Sequence, residues 1–168
     1  MFQSYYTACN PPSKHRIVNT ILVDQTEPPS HKILRNLIGE VCPWLNNNDS
    51  VKFETMSLEE FGKEYARTDS NNGEARAVIA THACGNLTDK VLELAVDLGA
   101  CGIAAMPCCY TGTDKGTPYG IKRALGVSWA ADIRRSFYLN ENKYHSDFSS
   151  IPTEITPMNR IIIGEDRS

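Results

Sequence analysis

The sequence predicts an α/β fold: a mainly parallel β-sheet with helices on both faces, ending in a C-terminal antiparallel hairpin. Three observations predict it. Apolar runs alternate along the chain with segments whose apolar residues recur at helical spacing. Most of those runs are uninterrupted, as strands buried on both faces are, while Val51–Met56 alternates. The last two strand candidates are joined by a linker too short for a crossover helix, so they must pair as a hairpin.

The elements follow in order. Arg16–Asp24 is a β-branched run that ends on an acid, with its strand centred on Ile17–Val23, and Glu27-Pro28-Pro29-Ser30 breaks it and offers Ser30 as a helix N-cap. The helix from His31 to Val41 places Ile33, Leu34, Leu37, Ile38 and Val41 on one face that must pack on a sheet, and Cys42-Pro43 stops it. Val51–Met56 reads as a strand, and Ser57-Leu58-Glu59-Glu60 as a helix start with a capping box. Arg67–Ala75 is polar and contains an Asn71-Asn72-Gly73 turn. Ala77–Ala80 is a short apolar strand, Thr88–Leu98 a helix with Val91, Leu92, Leu94 and Ala95 inward, and Cys101–Met106 a further buried strand. The four strands are expected to be parallel neighbours in one sheet. Thr111–Gly120 is a loop, and one or two helices occupy Ile121–Tyr138. Tyr144–Phe148 and Arg160–Gly164 form the hairpin across Ile151–Pro157.

With 168 residues the chain is expected to form one domain around one core. Its 41% hydrophobic and 22% charged content and net charge of -3 describe an ordinary globular protein without the basic excess that announces a nucleic-acid partner. A local basic patch remains compatible with that total. Met1–Thr7 lacks the basic segment and apolar run of a signal peptide, and no apolar stretch approaches the roughly 18 residues of a membrane span. A cytoplasmic protein with no membrane partner is expected. The six cysteines (Cys9, Cys42, Cys84, Cys101, Cys108 and Cys109) are then expected to be reduced.

The chemistry gathers at two strand ends. Thr81-His82-Ala83-Cys84-Gly85-Asn86-Leu87-Thr88-Asp89 follows one apolar run, and Ala105-Met106-Pro107-Cys108-Cys109-Tyr110 ends the next. Ligands in open α/β sheets bind outside the carboxyl ends of the strands, so polar and sulfur-bearing residues there read as a site. Asp24, His82, Cys84 and Tyr110 all follow strand candidates and are expected to line one crevice.

No metal is expected at these residues. His82-Ala83-Cys84 and Pro107-Cys108-Cys109 superficially resemble the zinc signature of nucleoside deaminases, but that mechanism needs a glutamate where Cys84 stands and a cysteine where Thr111 stands. A structural zinc site on His82, Cys84, Cys108 and Cys109 meets a different objection. Adjacent Cys108 and Cys109 point to opposite faces if the strand continues through them. A His/Cys metal-binding or thiol redox protein stays open as a lesser alternative, with no Cys-x-x-Cys motif to support it.

The combination of the His82–Asp89 strand end, Pro107-Cys108-Cys109-Tyr110, and the tail Ile155-Thr156-Pro157-Met158-Asn159-Arg160 resembles a known family. It is similar to the methyltransferase domain of the glutathione S-transferase C-terminal-domain-containing protein and, more distantly, to the tRNA 2′-O-methyltransferases of the Trm-thirteen type. The likeness covers Asn19 to Glu165. It implies the Rossmann-like fold of class I S-adenosylmethionine-dependent methyltransferases, whose mainly parallel sheet ends in such a hairpin. It implies methyl transfer from S-adenosylmethionine to RNA or another macromolecular acceptor. By the same resemblance Asp24 matches the acid that accepts hydrogen bonds from the cofactor's ribose hydroxyls, or else is a turn-forming Asp. His82, Cys84 and Gly85 match the strand end that faces the cofactor's methionine half, with a hydrogen-bonded structural role as the alternative for His82. Asp89 suits the first turn of the following helix. Pro107, Cys108, Cys109 and Tyr110 stand where a substrate-orienting loop lies, or form a buried thiol pair in the core. The catalytic group itself stays unassigned, because an activated sulfonium leaving group needs alignment more than acid–base machinery.

One feature of that family is missing. A glycine-rich turn should lie about 20 residues before the acid of the second strand, yet only 23 residues precede Asp24 and the first glycine is Gly39. The first strand and its loop are therefore expected to be absent, through truncation, degeneration to a non-catalytic interaction module, or supply from a partner chain that completes the sheet. S-adenosylmethionine is expected to bind this chain alone weakly or not at all.

Overall fold

In a computed structural model of the chain, which describes residues 20–42, 51–65, 75–113 and 116–167, the β-branched run ending on Asp24 is strand β1 (Thr20–Asp24). The expected strand residues before Thr20, Pro43, the Asn71–Gly73 turn, and Asp114 and Lys115 of the loop lie outside the described residues. The chain divides into two units, Met1–Phe61 and Gly62–Ser168.

In the first unit, β1 is followed by helix α1 (Pro29–Val41) and strand β2 (Val51–Thr55), which pairs with β1 in parallel from Thr20 opposite Val51 to Asp24 opposite Thr55. The helix starts one residue before the expected Ser30 cap. Pro28 occupies the cap and Pro29 the first turn, where a missing N–H costs nothing. The α1 apolar face also departs from expectation, because Ile33, Leu37 and Val41 are 60%, 53% and 76% exposed. The five apolar residues span two adjoining stripes, and the packing of His31 selects one. Its ring lies 4.9 Å from the Phe53 ring of β2, and its Nδ1 is 2.7 Å from Glu27 Oε1. That hydrogen bond holds the Glu27 carboxyl below its usual range. Residues in line with His31 face inward, with Leu34 and Ile38 half-buried and Gly39 and Cys42 buried. Helix α2 (Leu58–Tyr65) opens with the expected capping box: Glu60 N donates to Ser57 Oγ at 3.2 Å, and Ser57 N to Glu60 Oε2 at 2.9 Å.

The second unit holds strand β3 (Ala77–Thr81), helix α3 (Asn86–Asp97), strand β4 (Gly102–Met106), helix α4 (Tyr119–Glu141), and strands β5 (Tyr144–Ser150) and β6 (Arg160–Asp166). The sheet order is β3-β4-β6-β5. β3 and β4 run parallel, while β6 is antiparallel to both β4 and β5. The hairpin lies where the short linker requires it. Helix α4 consists of two helical segments that meet at Gly126, whose φ of 81° and ψ of 167° interrupt the helix in a region other residues rarely enter.

The expectation of four parallel neighbours in one mainly parallel sheet is corrected: β1–β2 form one sheet and β3–β4–β6–β5 another. Each parallel pair belongs to one βαβ unit. Alternation of apolar strand and amphipathic helix specifies pairing within such a unit and does not specify joining between units. Covering on both faces also fails at β3, where Ala77, Ile79 and Thr81 are exposed.

The core of the second unit joins Leu92 and Ala95 of α3, Ala100, Ile103 and Ala105 of β4 and its approach, Leu139 of α4, Tyr144 of β5 and Ile162 of β6. Leu92 and Ala95 are among the α3 residues whose spacing faces them inward. Leu139→Ala removes a fully buried side chain and is expected to cost about 2–5 kcal/mol in urea unfolding. Leu37→Ala, on the exposed stripe of α1, should change stability by less than about 0.5 kcal/mol. Equal effects would contradict the burial of Leu139 and the exposure of Leu37.

Candidate active site at the ends of β3 and β4

One hydrogen bond extends the parallel ladder from the first residue after β3 to the last residue of β4. His82, at a φ of 60°, donates its backbone N–H to Met106 O at 3.1 Å. Three residues later Gly85 N donates to Cys109 O at 3.2 Å. Gly85 has a φ of 56°, and a Cβ there would overlap the Thr111 carbonyl oxygen. Only glycine therefore lets the two loops approach this closely. Gly85 also caps α3 without a side-chain hydrogen bond, and Thr88, fully buried in the first turn, donates its hydroxyl to Ala83 O.

The loop after β4 begins with a buried Pro107 and brings both neighbouring cysteines to the same side as Cys84. Cys84 and Cys108 are disulfide-bonded, with Cα atoms 5.5 Å apart, and Cys109 is free. This corrects the expectation of reduced thiols throughout. Spacing along the sequence, 24 residues here, conceals that the two loops face each other.

Tyr110 turns toward α4 and β6. Its hydroxyl donates to Asp132 Oδ2 at 2.6 Å, and Thr113 secures the loop by donating Oγ1 to Tyr110 O at 2.6 Å. Asp132 is fully buried and accepts from three side chains. Besides Tyr110, Arg160 Nη2 reaches Oδ2 at 2.8 Å, and Arg135 Nη1 reaches Oδ1 at 3.0 Å. Arg135, itself 1% exposed, then donates Nη2 to Gly85 O at 2.8 Å and Nε to Asp89 Oδ1 at 2.9 Å. Asp89 takes a further bond from Arg134 at 2.9 Å. It thus has the structural role suggested by its place in the first turn of α3.

Arg160 also lies over the Trp129 ring, 4.0 Å from its centroid, and Trp129 meets Phe148 edge to face. These residues, with Ser149, Ser150 and Asn159, line an open groove of about 380 Å³. Asp132, Arg135 and Trp129 carried no sequence signal beyond charged residues three apart amid alanines. Arg160 stood in the tail motif without an assigned role.

Of the candidate site residues, His82, Cys84, Gly85, Cys108 and Cys109 share one loop pair, and Tyr110 leaves it for the Asp132 cluster. Asp24 closes β1 in the first unit, where it is exposed and lies opposite Thr55. What the second unit offers chemically is a pair of strand-end loops held rigidly side by side, with backbone groups, a histidine and three sulfurs at the edge.

Residues 40–115 match a family model described as a methyltransferase domain. The matched span runs from the end of α1 through β2, β3 and β4 and includes both strand-end motifs, so it supports a methyltransferase domain in this part of the chain. The mixed α/β architecture is compatible with a Rossmann-like methyltransferase fold. No curated protein and no solved structure matches the chain. Among the described residues, no helix is long and apolar enough to cross a membrane.

Burial raises the Tyr110 hydroxyl from its ordinary 10.0 to about 12, and the Asp132 hydrogen bond and charge add to the effect. An unfolded chain releases this proton first. Stability from Tyr110 is therefore fully present below pH 10 and is lost as pH rises toward about 12. Tyr110→Phe should lower stability at neutral pH by about 1–2 kcal/mol. It should also make the alkaline decline in urea-unfolding free energy shallower than in the wild type. An unchanged decline would show that the Tyr110 proton is not held above its ordinary range.

Proposed function

We propose that the chain is an S-adenosylmethionine-dependent methyltransferase domain acting on RNA, of the kind its strand-end motifs resemble. The match of residues 40–115 to a methyltransferase domain carries the reading. In it, His82, Cys84 and Gly85 at the β3 end face the methionine half of the cofactor. Pro107, Cys108, Cys109 and Tyr110 border the acceptor. Gly85 lets the two strand-end loops meet, and the hydrogen bonds from Arg135 and to Cys109 fix its position before any ligand arrives. Transfer from a sulfonium then needs the acceptor nucleophile in line, which is a demand on alignment. A cytoplasmic location belongs to the same reading.

The RNA part rests on the Trp129–Arg160–Phe148 groove. An indole that is 41% exposed and backed by a guanidinium is a surface on which an unpaired base stacks. With an overall charge of -3, the reading looks for the attraction in this local feature and not in a basic surface. Trp129→Ala should weaken binding of a single-stranded oligoribonucleotide about 5- to 100-fold, measured by fluorescence anisotropy, as loss of one stacked base does. Unchanged affinity would remove the RNA assignment.

The first glycine of the sequence is Gly39, so no Gly-x-Gly turn precedes Asp24, and cofactor binding by this chain alone is expected to be weak or absent by calorimetry. Saturation-transfer NMR detects the weak regime, with dissociation constants on the order of 1 mM. The expected result is transfer to the cofactor's protons that His82→Asn diminishes. No transfer at all would favour the alternative of a non-catalytic interaction module on the same fold.

A further inference from the structure

Cys84, Cys108 and Cys109 place three sulfur atoms together where methyl transfer requires none. Their Sγ atoms all lie within 4.8 Å of one another. Three thiolates on one tetrahedral zinc ion, each at about 2.3 Å, stand ~3.8 Å apart, so the spacing suits a ligand set once the Cys84–Cys108 disulfide is reduced. The alternation of a strand would separate adjacent Cys108 and Cys109. β4 ends at Met106, however, and both cysteines lie beyond it, where alternation no longer applies.

The loops that carry them do not depend on the disulfide for their approach. His82 N to Met106 O, Gly85 N to Cys109 O and Arg135 Nη2 to Gly85 O hold the two strand ends together. A reduced cluster thus keeps its sulfurs on a framework fixed by other bonds, which is what a metal site needs. Cys84 is exposed and Cys108 and Cys109 half-buried, so an ion has a path in.

We propose that the reduced chain binds one zinc ion through the thiolates of Cys84, Cys108 and Cys109, with water in the fourth position, and that oxidation to the Cys84–Cys108 disulfide releases it. The oxidant is a small disulfide of the glutathione class. The Cys84 thiolate attacks one of its sulfurs, breaking the S–S bond and expelling one small thiolate. The Cys108 thiolate then attacks Cys84 sulfur of the mixed disulfide, forms Cys84–Cys108 and expels the second small thiolate. Two electrons pass from the protein sulfurs to the oxidant. Zinc leaves, and the Cys109 thiolate takes a proton from water. The inference rests on sulfur geometry and is independent of cofactor binding.

The test uses the full chain, reduced with a phosphine and then freed of reductant, titrated with zinc against a chromophoric chelator. One zinc per chain is expected. Glutathione disulfide should release it as the thiol count, taken after denaturation, falls from six to four, the two lost being Cys84 and Cys108. Cys84→Ser, Cys108→Ser and Cys109→Ser should each weaken zinc binding by about tenfold or more. Cys9→Ser, Cys42→Ser and Cys101→Ser should leave it unchanged. Cobalt loaded into the unmutated chain gives a second readout that does not depend on variant folding: intense tetrahedral bands with thiolate-to-metal charge transfer are expected. A reduced chain that binds no zinc, octahedral cobalt, or binding that survives Cys109→Ser would overturn the proposal.

Discussion

The buried carboxylate of Asp132 is the constraint on which the described site depends. A carboxylate with no exposure loses its hydration, and the loss is offset only if hydrogen bonds and opposite charge surround it. Here Tyr110, Arg135 and Arg160 supply both. Because a well-packed apolar cluster would stabilise the fold as effectively, the value of this one lies in position. Each donor comes from a different part of the second unit: the loop after β4, the second segment of α4, and the start of β6.

Arg135 passes that positioning on to the β3 end. Its guanidinium uses one edge for Asp132 and the others for Gly85 O and Asp89, so the loop before α3 and the first turn of α3 are set from the same helix that sets Tyr110. A planar fork of five donors can do this, whereas a lysine ammonium could not reach all three acceptors in fixed directions. The two strand-end loops consequently meet in one arrangement, close enough for Gly85 to exclude a side chain and for three cysteines to converge. The disulfide adds a covalent tie to loops that hydrogen bonds already hold. In a reducing compartment such a bond is of the reversible kind.

Much of this was legible in the sequence, for local reasons. The apolar runs and helical spacings located the strands and helices, and the short linker before Arg160 required an antiparallel hairpin. Ser57 and Glu60 announced a capping box that is present. The strand-end motifs marked where His82, Cys84, Gly85 and Cys109 would gather. What could not be read was long-range. Tyr110 to Asp132, Asp132 to Arg160 and Arg135 to Gly85 span 22, 28 and 50 residues, and no periodicity encodes such pairs. The rotation of α1 was hidden for a similar reason. Two adjoining stripes are both apolar, and the choice between them falls to His31, a polar residue that packs on Phe53. The division into two sheets likewise depends on which edges meet, which strand composition leaves open.

The most direct measurement is amide chemical-shift mapping of the chain with S-adenosylmethionine. Backbone N–H groups at the β3 end are the groups that a cofactor in the proposed position would approach. The account predicts shift changes gathered on His82–Gly85 and the first turn of α3, reaching the Cys108–Tyr110 loop through the Gly85–Cys109 hydrogen bond. Changes confined to other elements, or none at saturating cofactor, would contradict it.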